Sequence, residues 1–170
     1  MSIKVEHLEF TYFEDRKNIL CDLSAEFDAG EITILTGASG CGKSTLLYLA
    51  AGIYPHSAGI LRSGSVSVEG VRPDSLTASK RCALVGMMFQ NPELQFCMDT
   101  VEHELLFCLE NICTPREEMM EKVDGALAFC EISHLKKRTL HSLSGGERQK
   151  VMLACLTLLS PKWLLLDEPF

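Results

Sequence analysis

The sequence lacks any apolar run long enough to cross a bilayer. Its longest candidate, Val151–Leu159, is interrupted by Thr157 and falls far short of the roughly 20 residues a spanning helix requires. It also lacks an excess of positive charge. The net charge is -7 and the isoelectric point about 5.2, which argues against a nucleic-acid-binding surface. Cysteine is present at positions 21, 41, 82, 97, 108, 113, 130 and 155. No pair has C-x-x-C spacing, and no histidine pair completes a zinc pattern. Most of these thiols fall in apolar stretches, where they are expected to behave as small hydrophobes. The opening residues Met1-Ser2-Ile3-Lys4-Val5-Glu6 lack the apolar core of a secretion signal. These absences lead to the expectation of a reduced, cytoplasmic chain that does not itself span a membrane. There is neither an internal repeat nor a low-complexity segment.

What is present suits one globular domain: 170 residues, 46% hydrophobic and 23% charged. The acidity is local. Residues 93–131 hold ten Asp/Glu against two Lys/Arg, leaving thirteen acids and fourteen bases elsewhere. A charge run of this kind is ordinarily a solvated face, as is expected of Lys136-Lys137-Arg138.

Partial alternation over Ile3, Val5, Leu8, Phe10 and Tyr12 predicts a strand, and Leu23–Phe27 a second. Glu31–Thr36 is short, β-branched and apolar on both faces, which predicts a buried strand. A helix is expected over Ser44–Ala51, an outer strand over Ser65–Glu69, and a buried strand over Cys82–Phe89 that ends at Gln90. From Asn91 to about His141 the pattern is helical, with Val101, Leu105, Cys108, Leu109 and Ile112 on one face. Thr114-Pro115-Arg116-Glu117 reads as a helix start with Thr114 as N-cap. Another helix begins at Ser144, and Trp163–Asp167 reads as a last buried strand.

Three motifs carry chemistry. Gly37-Ala38-Ser39-Gly40-Cys41-Gly42-Lys43-Ser44 matches G-x-x-x-x-G-K-S between an expected strand and an expected helix. Its glycines let backbone N–H groups turn toward phosphate oxygens at a helix N-terminus. Lys43 would reach the β- and γ-phosphates and Ser44 would ligate Mg²⁺. Leu164-Leu165-Leu166-Asp167-Glu168 ends an apolar run in two acids: Asp167 is suited to hold Mg²⁺ through water, and Glu168 to accept the proton of an attacking water. Ser144-Gly145-Gly146-Glu147 fits a capping box. Two glycines in a first helical turn cost stability, however, and they bare a second anion-binding helix terminus.

With Leu143-Ser144-Gly145-Gly146-Glu147 lying between the other two motifs, the chain resembles the nucleotide-binding subunit of ATP-binding cassette (ABC) transporters. The resemblance implies an α/β fold. It has a phosphate-loop core with a mainly parallel sheet, an N-terminal antiparallel β layer and an inserted helical subdomain. The core would span about 1–90 and 143–170, the insert about 91–142. It implies ATP and Mg²⁺ as ligands. Gly37, Ser39, Gly40, Cys41, Gly42, Lys43, Ser44 and Thr45 would hold phosphate, and Tyr12 would stack on adenine. Gln90 would sense Mg²⁺ and the attacking water, so that Ser44, Gln90 and Asp167 surround the metal. Ser144, Gly145 and Gly146 would cover ATP bound to a second subunit in a head-to-tail dimer. Phe89-Gln90-Asn91-Pro92-Glu93-Leu94-Gln95-Phe96 and Ile53-Tyr54-Pro55-His56 are similar to energy-coupling factor ATPases, which power import of vitamins or metal ions. The expected partners are a second cassette, identical, homologous or fused, and integral membrane subunits, at the cytoplasmic face of the membrane. The acidic segment coincides with the family's helical subdomain, which docks on those subunits.

Family members continue beyond the second acid with a D-loop, further strands and a switch histidine, while this sequence ends at Phe170. The 170-residue chain alone is therefore expected to hydrolyse ATP poorly. Rival readings are a chromosome-maintenance or translation-associated ATPase and an inactive fragment. The stretch from Lys43 to Ser144 contains no heptad run, and the acidic balance disfavours RNA.

Overall fold

A computed structural model describes residues 1–169. The chain divides into two compact units, Met1–Leu84 and a second beginning at Val85.

The first unit is built on an antiparallel sheet of order β2-β1-β3, with β1 at Ser2–Thr11, β2 at Leu20–Asp28 and β3 at Ile60–Val68. β1 is central because both of its edges are paired: Val5 lies opposite Ala25 on one side and Val66 on the other. Ile3, Val5, Leu8 and Phe10 are its buried residues. The sequence alternation skips a residue between Val5 and Leu8, and the register shifts there on both sides. The skip is a β-bulge in which His7 adopts φ 46°, matched by Asp22 at φ 46° on β2. Gly64 on β3 accommodates it, since a Cβ at that position would lie 2.3 Å from the Glu6 and His7 carbonyl oxygens. α1, Lys43–Ala50, starts after Gly42 and buries Thr45, Leu46, Leu49 and Ala50.

Three strand expectations are corrected. Residues 31–36 form no strand, and Ile32 and Ile34 are 96% and 80% exposed. A β-branched run has strand propensity, but a strand exists only with a hydrogen-bonded neighbour, and none pairs with it among the described residues. The expected strand at Cys82–Phe89 is instead split. α2, Ala78–Leu84, takes its first half, and only β4, Val85–Met88, is extended. β3 also starts five residues earlier than expected, because the whole length of β1 offers it a partner.

The second unit packs α3 (Val101–Asn111), α4 (Arg116–Phe129) and α5 (Gly145–Leu159) around one apolar cluster, beside the parallel pair formed by β4 and β5 (Trp163–Leu166). Val101, Leu105 and Leu109 recur every four residues and are 0% exposed. Val123 and Leu127 on α4 and Val151 on α5 meet them. Ile112, expected on the same face, is 39% exposed because α3 has already ended. α4 has Pro115 rather than Thr114 as its N-cap, since the extended ψ of 136° at Pro115 keeps it outside the helix. β5 alternates half-buried and exposed residues instead of being buried throughout, because successive side chains point to opposite faces and the face bearing Leu164 and Leu166 is left open among the described residues.

Four of the ten acids in the acidic segment form ion pairs within the chain. Glu102 pairs with Lys136 and Lys137, Asp124 with Lys136, Glu118 with Lys122 and Glu93 with Arg148. Lys136-Lys137-Arg138 is thus a clamp rather than only a solvated turn, and the Arg138 carbonyl also accepts the Val101 N–H. Nor do the thiols behave mainly as buried hydrophobes. Cys130 and Cys155 are buried, whereas Cys21, Cys41, Cys82, Cys97 and Cys113 are exposed at strand faces, helix ends and turns.

Leu105→Ala should destabilise this unit by about 3 kcal/mol in urea unfolding, through lost burial and the cavity left behind. Phe129→Ala, at a residue 73% exposed, should change stability by less than about 0.5 kcal/mol. Equal effects of the two would refute this assignment of the core.

Candidate nucleotide site

Gly40 and Gly42 occupy left-handed conformations, at φ 77° and 100°, that bend the loop from 37 to 42 into the start of α1. Lys43, the first helical residue, turns back over this loop. Its Nζ donates to the Gly37 and Ala38 carbonyls, each at 2.9 Å, and lies 3.8 Å from Cys41 Sγ. The ammonium therefore sits on the loop's own carbonyls, at the place where successive N–H groups and a helix terminus favour an anion. Ser44 follows in the first turn, half-buried, and Thr45 is buried. Ser39 lies in the exposed bend of the loop.

Thr45 Oγ1 and the Tyr12 hydroxyl are 2.9 Å apart, which ties the end of β1 to α1. The Tyr12 ring stands edge-on to Phe10 and Tyr54, with centroids 5.3 and 5.8 Å away, and Tyr48 meets Tyr54 at 5.1 Å. Burial first, and then the hydrogen bond with Tyr12, pushes the Tyr54 phenol up to about 12, so it stays protonated. No sequence pattern announces this four-ring cluster: of its members only Tyr12, for adenine, and Tyr54, within Ile53-Tyr54-Pro55-His56, stand out in the sequence.

In the second unit the parallel register sets Met88 opposite Leu166. Two residues further along each strand, this brings Gln90 beside Glu168, and Gln90 Nε2 donates to Glu168 Oε2 at 2.6 Å. Asp167, 5% exposed, directly precedes Glu168 and donates its N–H to the Met88 carbonyl at 3.0 Å. Glu168 adopts φ 48°, a strained conformation for a residue with a side chain. The carboxyl ends of adjacent parallel strands are where ligands bind in open α/β sheets.

Ser144 caps α5 in the full reciprocal form. The Ser144 N–H donates to Glu147 Oε2 at 2.7 Å, and Ser144 Oγ accepts the Glu147 N–H at 3.4 Å. The buried Leu143 anchors the turn from below. A Cβ at Gly145 or Gly146 would meet nothing within 4 Å. Packing among the described residues therefore does not require these glycines.

Phosphate loop, paired strand-end carboxylates and a glycine-opened helix cap define a nucleotide-binding protein of the phosphate-loop class. The chain belongs to the ABC transporter family, whose sequence model matches residues 20–170. It is 43% identical over 168 residues to the Bacillus subtilis protein named "Putative HMP/thiamine import ATP-binding protein YkoD", a match covering 98% of this chain and 31% of that one. It is 39% identical to the energy-coupling factor transporter ATP-binding protein EcfA1 of Levilactobacillus brevis, over 98% of this chain and 58% of that protein. The solved structure of cbiO1 from Clostridium perfringens, described as part of the ABC transporter complex cbiONQ, superposes with a TM-score of 0.81 at 31% identity. That likeness covers 97% of this chain and 64% of that one. The chain thus spans between about a third and two thirds of the length of these relatives.

Hydrogen bonds from the Ser144 backbone and then its hydroxyl hold the Glu147 carboxyl below its ordinary value. The ionised cap therefore contributes stability above the ordinary carboxylate range, and that contribution is lost as pH falls through the lowered value. Amide-exchange protection at the start of α5 should fall as the pH is taken below about 4. In Ser144→Ala, which should cost about 1 kcal/mol at neutral pH, the dependence should be weaker; an unchanged dependence would count against the cap.

Proposed function

We propose that this chain is the nucleotide-binding part of an ATPase that powers import of a small molecule, a vitamin or a metal ion, through integral membrane partners. The observation that carries this reading is the Gln90–Glu168 contact at the ends of β4 and β5. It joins the glutamine and the second acid of the family pattern in one hydrogen-bonded pair. The import reading is supported by the relatives named for HMP/thiamine import and for energy coupling.

The residues present suit the ligands. The bent backbone around Gly37, Ser39, Gly40, Cys41 and Gly42, followed by Lys43, Ser44 and Thr45, is a cradle for the phosphates of ATP. On phosphate binding, Lys43 would exchange its two carbonyl partners for β- and γ-phosphate oxygens. Tyr12 is assigned to the adenine. Ser44, Gln90 and Asp167 offer only oxygen donors, the set that suits Mg²⁺ rather than a softer metal. When bound, Mg²⁺ would neutralise charge developing on the phosphates. Glu168 is the general base: it takes a proton from water as the water oxygen bonds to the γ-phosphorus and the bond to ADP breaks. Gln90, donating to Glu168, orients the carboxylate and the water. Ser144, Gly145 and Gly146 would close over ATP held by a second cassette. We assign the core to about 1–90 and 143–170 and the helical insert to about 91–142. Among the described residues no helix is long and apolar enough to cross a membrane, and the proposed place of work is the cytoplasmic face, docked on membrane subunits.

In the full-length protein, Glu168→Gln should retain ATP binding and lose phosphate release by about a hundredfold or more. Lys43→Ala should lose nucleotide binding itself, read by equilibrium titration with a fluorescent ATP analogue. Turnover of Glu168→Gln at the unmodified rate would remove Glu168 from the base role.

A further inference from the structure

Around the loop between Gln90 and α3, two polar side chains, Gln95 in the loop and Glu104 on α3, make contacts that the chemistry above does not use. Gln95 Oε1 accepts the Phe89 N–H at 2.7 Å, and Gln95 Nε2 donates to the Met87 carbonyl at 3.0 Å. Backbone groups of successive strand residues point to opposite edges. The intervening Met88 carbonyl faces β5, where it accepts the Asp167 N–H. Met87 and Phe89 therefore present their groups on the other edge of β4, and the Gln95 amide satisfies them as a third strand would. The same loop is anchored again further on. Glu104, 3% exposed, accepts the N–H groups of Cys97 and Met98 on Oε2, at 2.9 and 2.7 Å. Between these anchors and β4, Gln90 is the side chain that reaches Glu168.

We propose that Gln95 is a positioning residue that acts through Gln90. It fixes the two peptides that flank Met88, the second of them one residue short of Gln90, and so sets where the Gln90 amide lies relative to Glu168. The consequence for turnover rests on the ATPase reading above; the geometry does not. Gln95 is only half-buried, and water can replace its bonds to an edge at little cost to the fold. Water would not hold the direction of the chain, and a displacement of about 1 Å at a reacting group can cost about a hundredfold in rate. The role needs one donor and one acceptor on a single side chain. Gln95→Glu, which places a carboxylate against the Met87 carbonyl, should fail as Gln95→Leu does.

The test is a double-mutant cycle in the full-length protein with its membrane partners. Gln95→Leu should lower kcat about tenfold or more, with KM for ATP changed less than about twofold. In a Gln90→Ala background, Gln95→Leu should cause no further loss. Equal losses in both backgrounds would make Gln95 a residue of the fold and overturn the proposal. A second measurement does not depend on activity. With glutamine labelled by ¹⁵N, the side-chain amide resonance of Gln90 should move in Gln95→Leu to the position it takes in Glu168→Ala. An unmoved resonance overturns the proposal. Absence of turnover in the unmodified protein would count against the ATPase reading alone, and the resonance would still decide the role of Gln95.

Discussion

The in-register parallel pairing of β4 and β5 is the constraint on which the rest of the second unit depends. Only four residues of each strand take part, Val85–Met88 and Trp163–Leu166. Because the strands run in the same direction, both of their carboxyl ends emerge at one place. The pairing of Met88 with Leu166 then places Gln90 against Glu168. A slip of one residue would turn every side chain to the opposite face and separate an amide from a carboxylate now 2.6 Å away. The helical cluster of α3, α4 and α5 holds this register from one side. Met88 of β4 belongs to the same apolar cluster as Val101 and Val151.

The surrounding polar groups serve the same end. Acids that look in sequence like a single charged face are divided among separate tasks. Glu104 closes the loop after Gln95, while Glu102 and Asp124 bind the lysines that join α4 to α5. Their value is in fixing loops rather than in overall stability. The glycines of the α5 cap are different, because a Cβ at either would meet none of the described residues within 4 Å.

Much of this could be read from the residues. The bulge in β1 is visible as the skip from Val5 to Leu8, and the capping box as Ser144 and Glu147 three apart. Gln95 was visible as a letter in Gln90-Asn91-Pro92-Glu93-Leu94-Gln95, but its task was not. Its partners are backbone atoms of Met87 and Phe89, which carry no sequence signal. Where propensity was trusted without a partner, it misled. Residues 31–36 have strand composition and no neighbour, and Cys82 has apolar company but lies in a helix.

By itself, the sequence determined the family, the order of its three motifs and the residue types able to bind phosphate and move a proton. These depend on local chemistry: glycines that permit a bend, a hydroxyl three residues before a carboxylate, an apolar run ending in acids. Only the tertiary structure decided which edge of β4 is paired, that Gln90 meets Glu168, that Lys43 rests on the carbonyls of its own loop, and that a second glutamine bonds the other edge of β4. Those facts depend on strand register and on backbone groups from distant parts of the chain, which side-chain identity does not encode.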